Sequence, residues 1–366
     1  MVCAVSLLSS SFALSLLRSS APVNQSFVLS PYSLGSALSI LNDGAQGATQ
    51  QEITNLLLKG CKPEEVAAHY SSLVTTLKSA SNGITINSAN NIFVSKKVTL
   101  LEAFNTQTEK NYGVKIDNVD FDNKEEAAKV INAFVDKNTK GAIKELIKAD
   151  SIDPYTVSVV VNAVHFLGEW RDQFNTAFTT NRTFYGAKGE REITYMSKYF
   201  TTAAINEADN ALVLPYKNEE FKFFFVMTKE GQSLENLLST LDGEKLKKIV
   251  DGAHSETADI TIPKFSIESG FDPKLALEKL GVRTMFSNAA DFGKMTSIPV
   301  KISDAKHKAL IKLSEKGTRA MAATAFGLRL ISSRIDEPRI FRFVVNRPTL
   351  FGIMSPTAVL FVGQFA

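Results

Sequence analysis

The sequence predicts an α+β fold built on large mixed sheets. Three observations carry this. Helix-like segments crowd into the first third, long apolar strand-like segments fill the second half, and no Gly/Ser/Pro-rich linker or internal repeat divides the 366 residues. One domain over 1–366 is therefore expected. With 44% hydrophobic and 22% charged residues, the chain can bury a sizeable core.

The elements follow from local pattern. Val5, Leu8, Phe12 and Leu16 share one helical face, with Ala13 and Leu17 beside it. The segment lacks the basic start of a signal peptide, and Ser9, Ser10 and Ser11 interrupt its apolar run, so it reads as an amphipathic first helix. No apolar stretch reaches the roughly 18 residues of a membrane span. Two more helices join near Gly44 and Gly47, with Thr49 and Glu52 as a capping box and Gly60 as a stop. Alternation over 84–95 predicts a strand, and 100–116 and 124–143 predict helices. "TVSVVVNAVHFLG" (156–168) is a β-branched run suited to a central strand. "NALVLPYKNEEFKFFFVMTK" predicts two strands joined at "KNEE", and "TADITIPKFSIESGFD" one further strand region before the helix "PKLALEKLG". Three apolar strands close the chain, with turns at Asn346-Arg347-Pro348 and Ser355-Pro356.

Several function classes are excluded. A net charge of +3, without basic residues interleaved with aromatics, argues against nucleic acid. No Walker loop, GxGxxG, HExxH or GxSxG motif occurs. Glu65 with His69, and His165 with Glu169, have i,i+4 spacing but no third ligand nearby, so neither pair predicts a metal. No catalytic residue and no cofactor is assigned. Cys3 and Cys61 form no CxxC pair; two free, mostly buried thiols are expected, which favours a reducing compartment.

One stretch fits none of these patterns. "EKGTRAMAATAFGLRLISSRIDEP" (315–338) opens on a charged turn and then runs through small or flexible side chains. On propensity alone it reads as an alanine-rich surface helix, with Met321, Ala325 and Leu328 on one face.

Six segments, taken in order, resemble the serpins, the serine-protease-inhibitor superfamily. They are "FVLSPYSLGSALSILNDGAQGATQQEI", "VNAVHFLGEW", "LPYK", "IPKFSI", "DAKHKALIKLSEKGTRAMAATA" and "FVVNRPTLFGI" with "LFVGQF". The resemblance implies three β-sheets, eight or nine helices, a metastable native state and an exposed reactive centre loop at about 315–340. It implies a suicide-substrate inhibitor. A protease cleaves the loop, the freed segment inserts into a sheet, and the acyl-enzyme is trapped; loop insertion of this kind in serpins is a known strand addition.

Residue roles follow from the same resemblance. Glu315, Lys316, Gly317, Thr318, Ala320, Ala322, Ala323 and Thr324 match the hinge. A strand alternates faces, so Thr318, Ala320, Ala322 and Thr324 would point inward, small and uncharged, while Arg319, Met321, Ala323 and Ala325 face outward. Family spacing puts the scissile bond at Ile331–Ser332, suiting chymotrypsin- or elastase-like proteases. Leu330 would also suit chymotrypsin-like enzymes, Arg329 or Arg334 trypsin-like ones, Asp336 a granzyme-like one, and Leu328-Arg329-Leu330 cysteine cathepsins. His307, Asn162, Ser30 and Ser33 match the place where the sheet opens. Trp170, Lys264 and Glu315 match the top of that sheet. The sequence departs from the family at Arg319, where an acidic residue is usual, which bears on insertion rate. Pro348-Thr349 in place of Pro-Phe, and an end at Ala366 without the usual short tail, bear on packing.

No basic cluster over 67–90 resembles a heparin-binding helix, so no glycosaminoglycan partner is expected. The domain begins at its first helix, like the intracellular serpins, nematode ones included. A cytoplasmic monomer is expected, with secretion as the alternative and two sequons at Asn24 and Asn181. The competing reading is a non-inhibitory serpin acting as chaperone or carrier.

Overall fold

The computed structural model describes residues 5–22, 24–153, 155–318 and 340–366. The helical first third contains α1 (Val5–Ser20), the short strand β1 (Phe27–Leu29), α2 (Pro31–Gly44), α3 (Gly47–Leu57) and α4 (Pro63–Lys78). The predicted face of α1 is inside: Phe12, Ala13, Leu16 and Leu17 are all buried. Ser30 starts α2, its hydroxyl accepting the Ser33 N–H at 3.1 Å, with Pro31 in the first turn. The helix is buried nearly all round, and at Gly35 it meets α4 so closely that a Cβ would lie 2.2 Å from the Tyr70 hydroxyl.

Two local expectations are corrected here. Thr49 and Glu52 do not form a capping box, because α3 starts after Gln46. Glu52 instead accepts the N–H groups of Arg283 and Thr284, and Thr49 accepts that of Asp291. Tertiary donors outcompete the local cap. Cys61 is disulfide-bonded and not a free thiol, while Cys3 lies outside the described residues. A disulfide persists in oxidising surroundings, which removes the cysteine argument for a reducing compartment. Glu65 is spent on the start of α4, accepting the Lys62 N–H at 2.7 Å.

The chain continues through β2 (Ile84–Ser95), α5 (Glu102–Tyr112), β3 (Asp117–Val119), α6 (Lys124–Asn138), β4 (Ser158–Glu169), β5 (Thr179–Gly186), β6 (Gly189–Asn206), β7 (Ala211–Pro215) and β8 (Lys222–Met227). Then come α7 (Leu234–Thr240), α8 (Gly243–Asp251), β9 (His254–Pro263), β10 (Phe265–Phe271), α9 (Lys274–Lys279), β11 (Asp304–Leu313), β12 (Gly317–Thr318), β13 (Phe341–Val344), β14 (Thr349–Met354) and β15 (Val359–Phe365). No described helix is long and apolar enough to cross a membrane.

Hydrogen bonding groups these strands into a nine-stranded sheet, ordered β1-β15-β14-β8-β7-β6-β9-β13 with β5 on β6, and a six-stranded sheet, ordered β10-β11-β4-β2-β3 with β12 on β4. The family likeness implies three sheets, whereas the described residues pair into two; the register shift between Phe200 and Ala203 in β6 is a local irregularity, with β6 paired to β9 on both sides of it. The region read as one strand over 257–272 divides at Lys264, and β9 and β10 enter different sheets. Alternation alone carries no signal for such a change of sheet.

The six-stranded sheet positions the site. β4 is apolar on both sides because both faces are covered. Val159, Val161 and Ala163 pack with Ala127, Ile131 and Val135 of α6, whereas Val160, Val164 and Phe166 join the main core. At its centre β4 and β11 are parallel neighbours, in register from Asp304 opposite Val159 to Leu310 opposite His165.

Candidate functional site

Above His165 the parallel pairing stops, although both strands continue. The chain leaving β11 folds back as a tight hairpin, with Ser314 N–H donating to Gly317 O at 2.8 Å and Gly317 N–H to Ser314 O at 3.0 Å. Gly317 and Thr318 then pair antiparallel to Glu169 and Gly168. The start of a new strand thus sits in the mouth between β4 and β11. Only glycine fits at the turn: Gly317 has φ +136, and a Cβ there would lie 1.9 Å from the Gly168 carbonyl oxygen. Gly317→Ala is expected to undock the hinge, with a cost of about 1–3 kcal/mol or more. An unchanged unfolding midpoint together with unchanged Trp170 fluorescence would contradict this.

The hairpin is clamped by residues far apart in sequence. Glu315 is 6% exposed, and its carboxylate takes hydrogen bonds from Thr179 at 2.8 Å and Lys264 at 3.1 Å. Burial works against its charge, but its own backbone N–H, Thr179 and Lys264 hold the carboxyl below its usual range. Trp170, the single tryptophan, donates its indole N–H to Ser314 O at 3.0 Å and its backbone N–H to Lys316 O at 2.9 Å. It also stacks on Tyr216, with ring centroids 4.8 Å apart and planes 10° from parallel. Tyr216 OH lies 2.6 Å from the Thr318 hydroxyl, and both residues are fully buried. Trp170, Lys264 and Glu315 are thus brought together with Gly317 and Thr318 of the expected hinge. Sequence reasoning missed Thr179 and Tyr216; the latter stood inside the quoted "LPYK".

The second cluster lies lower, where β4 and β11 are still paired. His307 and Asn162 are partners in register, and His307 Nδ1 meets Asn162 Oδ1. His307 Nε2 accepts the Ser30 N–H at 3.2 Å, so the ring is neutral and Nδ1 carries the proton donated to Asn162. Asn162 donates to Asn90 Oδ1 at 2.9 Å, as Ser33 does at 2.6 Å. The Ser30 hydroxyl donates to Leu360 O at 2.6 Å. Ser30, Ser33, Asn162 and His307 therefore form one buried network joining β2, β4, β11, α2 and β15. Asn90, its hub on β2, was missed, having no pattern of its own.

Burial pushes the His307 pKa down to about 3, and it also lowers His69 and His165 to about 4. An unfolded histidine binds its proton near pH 6.5, so stability is complete above that pH and declines as pH falls toward these values. Each such histidine contributes a slope of at most about 1.4 kcal/mol per pH unit in that window. His307→Gln is expected to flatten the dependence by one histidine's share, read from denaturant midpoints between pH 7.5 and 5. An unaltered slope would show that His307 is not the buried neutral base described.

The remaining expected site residues, Ala320, Ala322, Ala323 and Thr324 of the hinge and Arg329, Leu330, Ile331, Ser332, Arg334 and Asp336 around the bait bond, lie outside the described residues. Lys316 is half-buried at the tip of the hairpin. Among the described residues, no group of three or more His, Cys, Asp or Glu could hold a metal ion.

Comparison with known proteins fits this geometry. The family profile described as Serpin (serine protease inhibitor) matches residues 8–366. Serpin B6 of Macaca fascicularis is 30% identical over 368 residues, covering 97% of each chain. The leukocyte elastase inhibitor of Homo sapiens is 30% identical over 353 residues, covering 92% of each. Among solved structures, Serpin48 of the insect Tenebrio molitor superposes with a TM-score of 0.85 at 26% identity, covering 99% of this chain and 96% of that one. A sheet with a parallel pair open at one end, a glycine hinge turned into the opening, and a family match over nearly the whole length lead to one assignment: this chain belongs to the serpins, a family of protease inhibitors and not of enzymes.

Proposed function

We propose that this serpin inhibits serine proteases as a suicide substrate. The observation that carries the reading is the pairing of Gly317 and Thr318 with Glu169 and Gly168. Continued down the sheet in that register, Ala320 comes opposite Phe166, Ala322 opposite Val164 and Thr324 opposite Asn162. The bridge between Ser314 and Gly317 gives the other side, where the same residues come opposite Ile311, Ala309 and His307. Every one of these neighbours is buried. The inserted strand must therefore be small and uncharged on this face, as Ala320, Ala322 and Thr324 are. Its arrival also requires His307 and Asn162 to part, which makes their bond a barrier to be crossed.

The protease is carried along as an acyl-enzyme, and distortion of its site stops deacylation; losing one oxyanion donor alone slows hydrolysis by about 10²–10³. The bait bond is Ile331–Ser332, with chymotrypsin- or elastase-like proteases as targets; similarity to an elastase inhibitor supports that class. Cross-class capture of cysteine cathepsins rests on Leu328-Arg329-Leu330. The test is incubation with chymotrypsin, elastase, trypsin and cathepsins, then denaturing gels and N-terminal sequencing of the released peptide. A covalent adduct cut after Ile331 is expected. Clean cleavage without any adduct would overturn the inhibitory reading and support a chaperone or carrier role.

A further inference from the structure

Resting on that reading, we infer that Tyr216 is a positioning residue for loop insertion, holding Thr318 docked in the sheet of the uncleaved protein so that insertion starts from a pairing already made. Tyr216 follows β7 and stands on the core side of the mouth, between Trp170 and the Phe166 ring, whose centroid is 5.2 Å away. Its hydroxyl reaches through to Thr318, its hydrogen-bond partner among the described residues. The two hydroxyls satisfy each other away from water. If the hinge swung out, the Tyr216 hydroxyl would remain buried without that partner, the expensive outcome for a buried polar group. The neighbouring contacts act in the same direction: Trp170 holds the Ser314 and Lys316 carbonyls, and the Phe174 N–H donates to Glu315 O at 2.9 Å.

The consequence is kinetic. Starting a new strand is the slow part, because chain entropy is lost before contacts repay it. With Gly317 and Thr318 already paired, cleavage leaves only extension down the gap, in competition with deacylation. Tyr216 thereby sets the partition between trapped complex and released, cleaved inhibitor.

The test uses Tyr216→Phe, Thr318→Val and the double variant of the full chain. Trp170 reports hinge docking in the uncleaved protein, being the only tryptophan, 2% exposed, and bonded to the hairpin. Each single variant strands one buried hydroxyl, which shifts the docking equilibrium by about 5- to 100-fold. The expected readouts are red-shifted Trp170 emission before cleavage and more inhibitor consumed per protease trapped. In the double variant no hydroxyl is stranded, so both readouts return toward wild type. Circular dichroism and the unfolding midpoint check that the variants fold. Wild-type emission and stoichiometry in Tyr216→Phe would overturn the inference, as would a double variant no better than the sum of the singles. If the wild type traps no protease at all, the inhibitory reading fails separately, and Trp170 emission still decides whether Tyr216 holds the hinge.

Discussion

Cleavage at the proposed bait bond, after Ile331, is expected to raise the thermal unfolding midpoint by at least about 15 °C. The expectation follows from what the gap between β4 and β11 can accept. Both strands are buried along their core face, and their upper ends already hold Gly317 and Thr318. Insertion adds roughly ten residues of ladder, each hydrogen bond contributing about 1 kcal/mol net. It also buries apolar side chains such as Phe326 and Leu328. The sum, on the order of 10 kcal/mol, matches the whole stability of an ordinary domain. On the proposed inhibitory reading the uncleaved protein is a kinetically held state, with the gap between β4 and β11 only started by Gly317 and Thr318. Scanning calorimetry of intact and nicked protein measures this directly. Equal midpoints would end the insertion scheme and leave the serpin likeness a matter of shape.

Ala320→Arg is expected to turn the inhibitor into a substrate. In the register set by Gly317 and Thr318, residue 320 enters between Phe166 and Ile311, both fully buried. Among the described residues a guanidinium there has no acidic partner on that face, and it costs several kcal/mol to bury. Insertion stalls after Thr318, and the acyl-enzyme hydrolyses in the time it would have taken to be trapped. Inhibitor consumed per protease trapped should rise at least about tenfold, the factor that 1.4 kcal/mol of slowed insertion produces. The midpoint of the uncleaved protein should stay within about 2 °C, since the cost arises only on insertion. Arg319→Ala, on the opposite face, should leave adduct formation intact. Undiminished adduct in Ala320→Arg would contradict the register.

Where periodicity or family motifs spoke, the sequence was legible. The buried face of α1, the doubly covered run of β4 and the closing strands are all local patterns of apolar residues, and local pattern reports which side of an element meets the core. Among the motif residues, Trp170, Lys264 and Glu315 lie together at the mouth of the sheet, and Asn162 and His307 are partners lower down. The misreadings have one cause. Thr49 and Glu52 satisfy donors on Arg283, Thr284 and Asp291, far along the chain, in place of their own helix. The run over 257–272 divides between two sheets at Lys264. Cys61 is bonded where a free thiol was expected. Each outcome depends on a partner that no local window contains.

By itself, the amino-acid sequence determined the α+β class, the family and the buried faces of the strongly patterned elements, because periodicity and short motifs are properties of neighbouring residues. Only the tertiary structure decided that β4 and β11 lie parallel and part above His165, that Gly317 and Thr318 already occupy the opening, and that Tyr216 and Asn90 serve as contact points. Those are meetings between segments more than a hundred residues apart or on separate strands, set by how the sheets close over the core, and a linear pattern has no term for them.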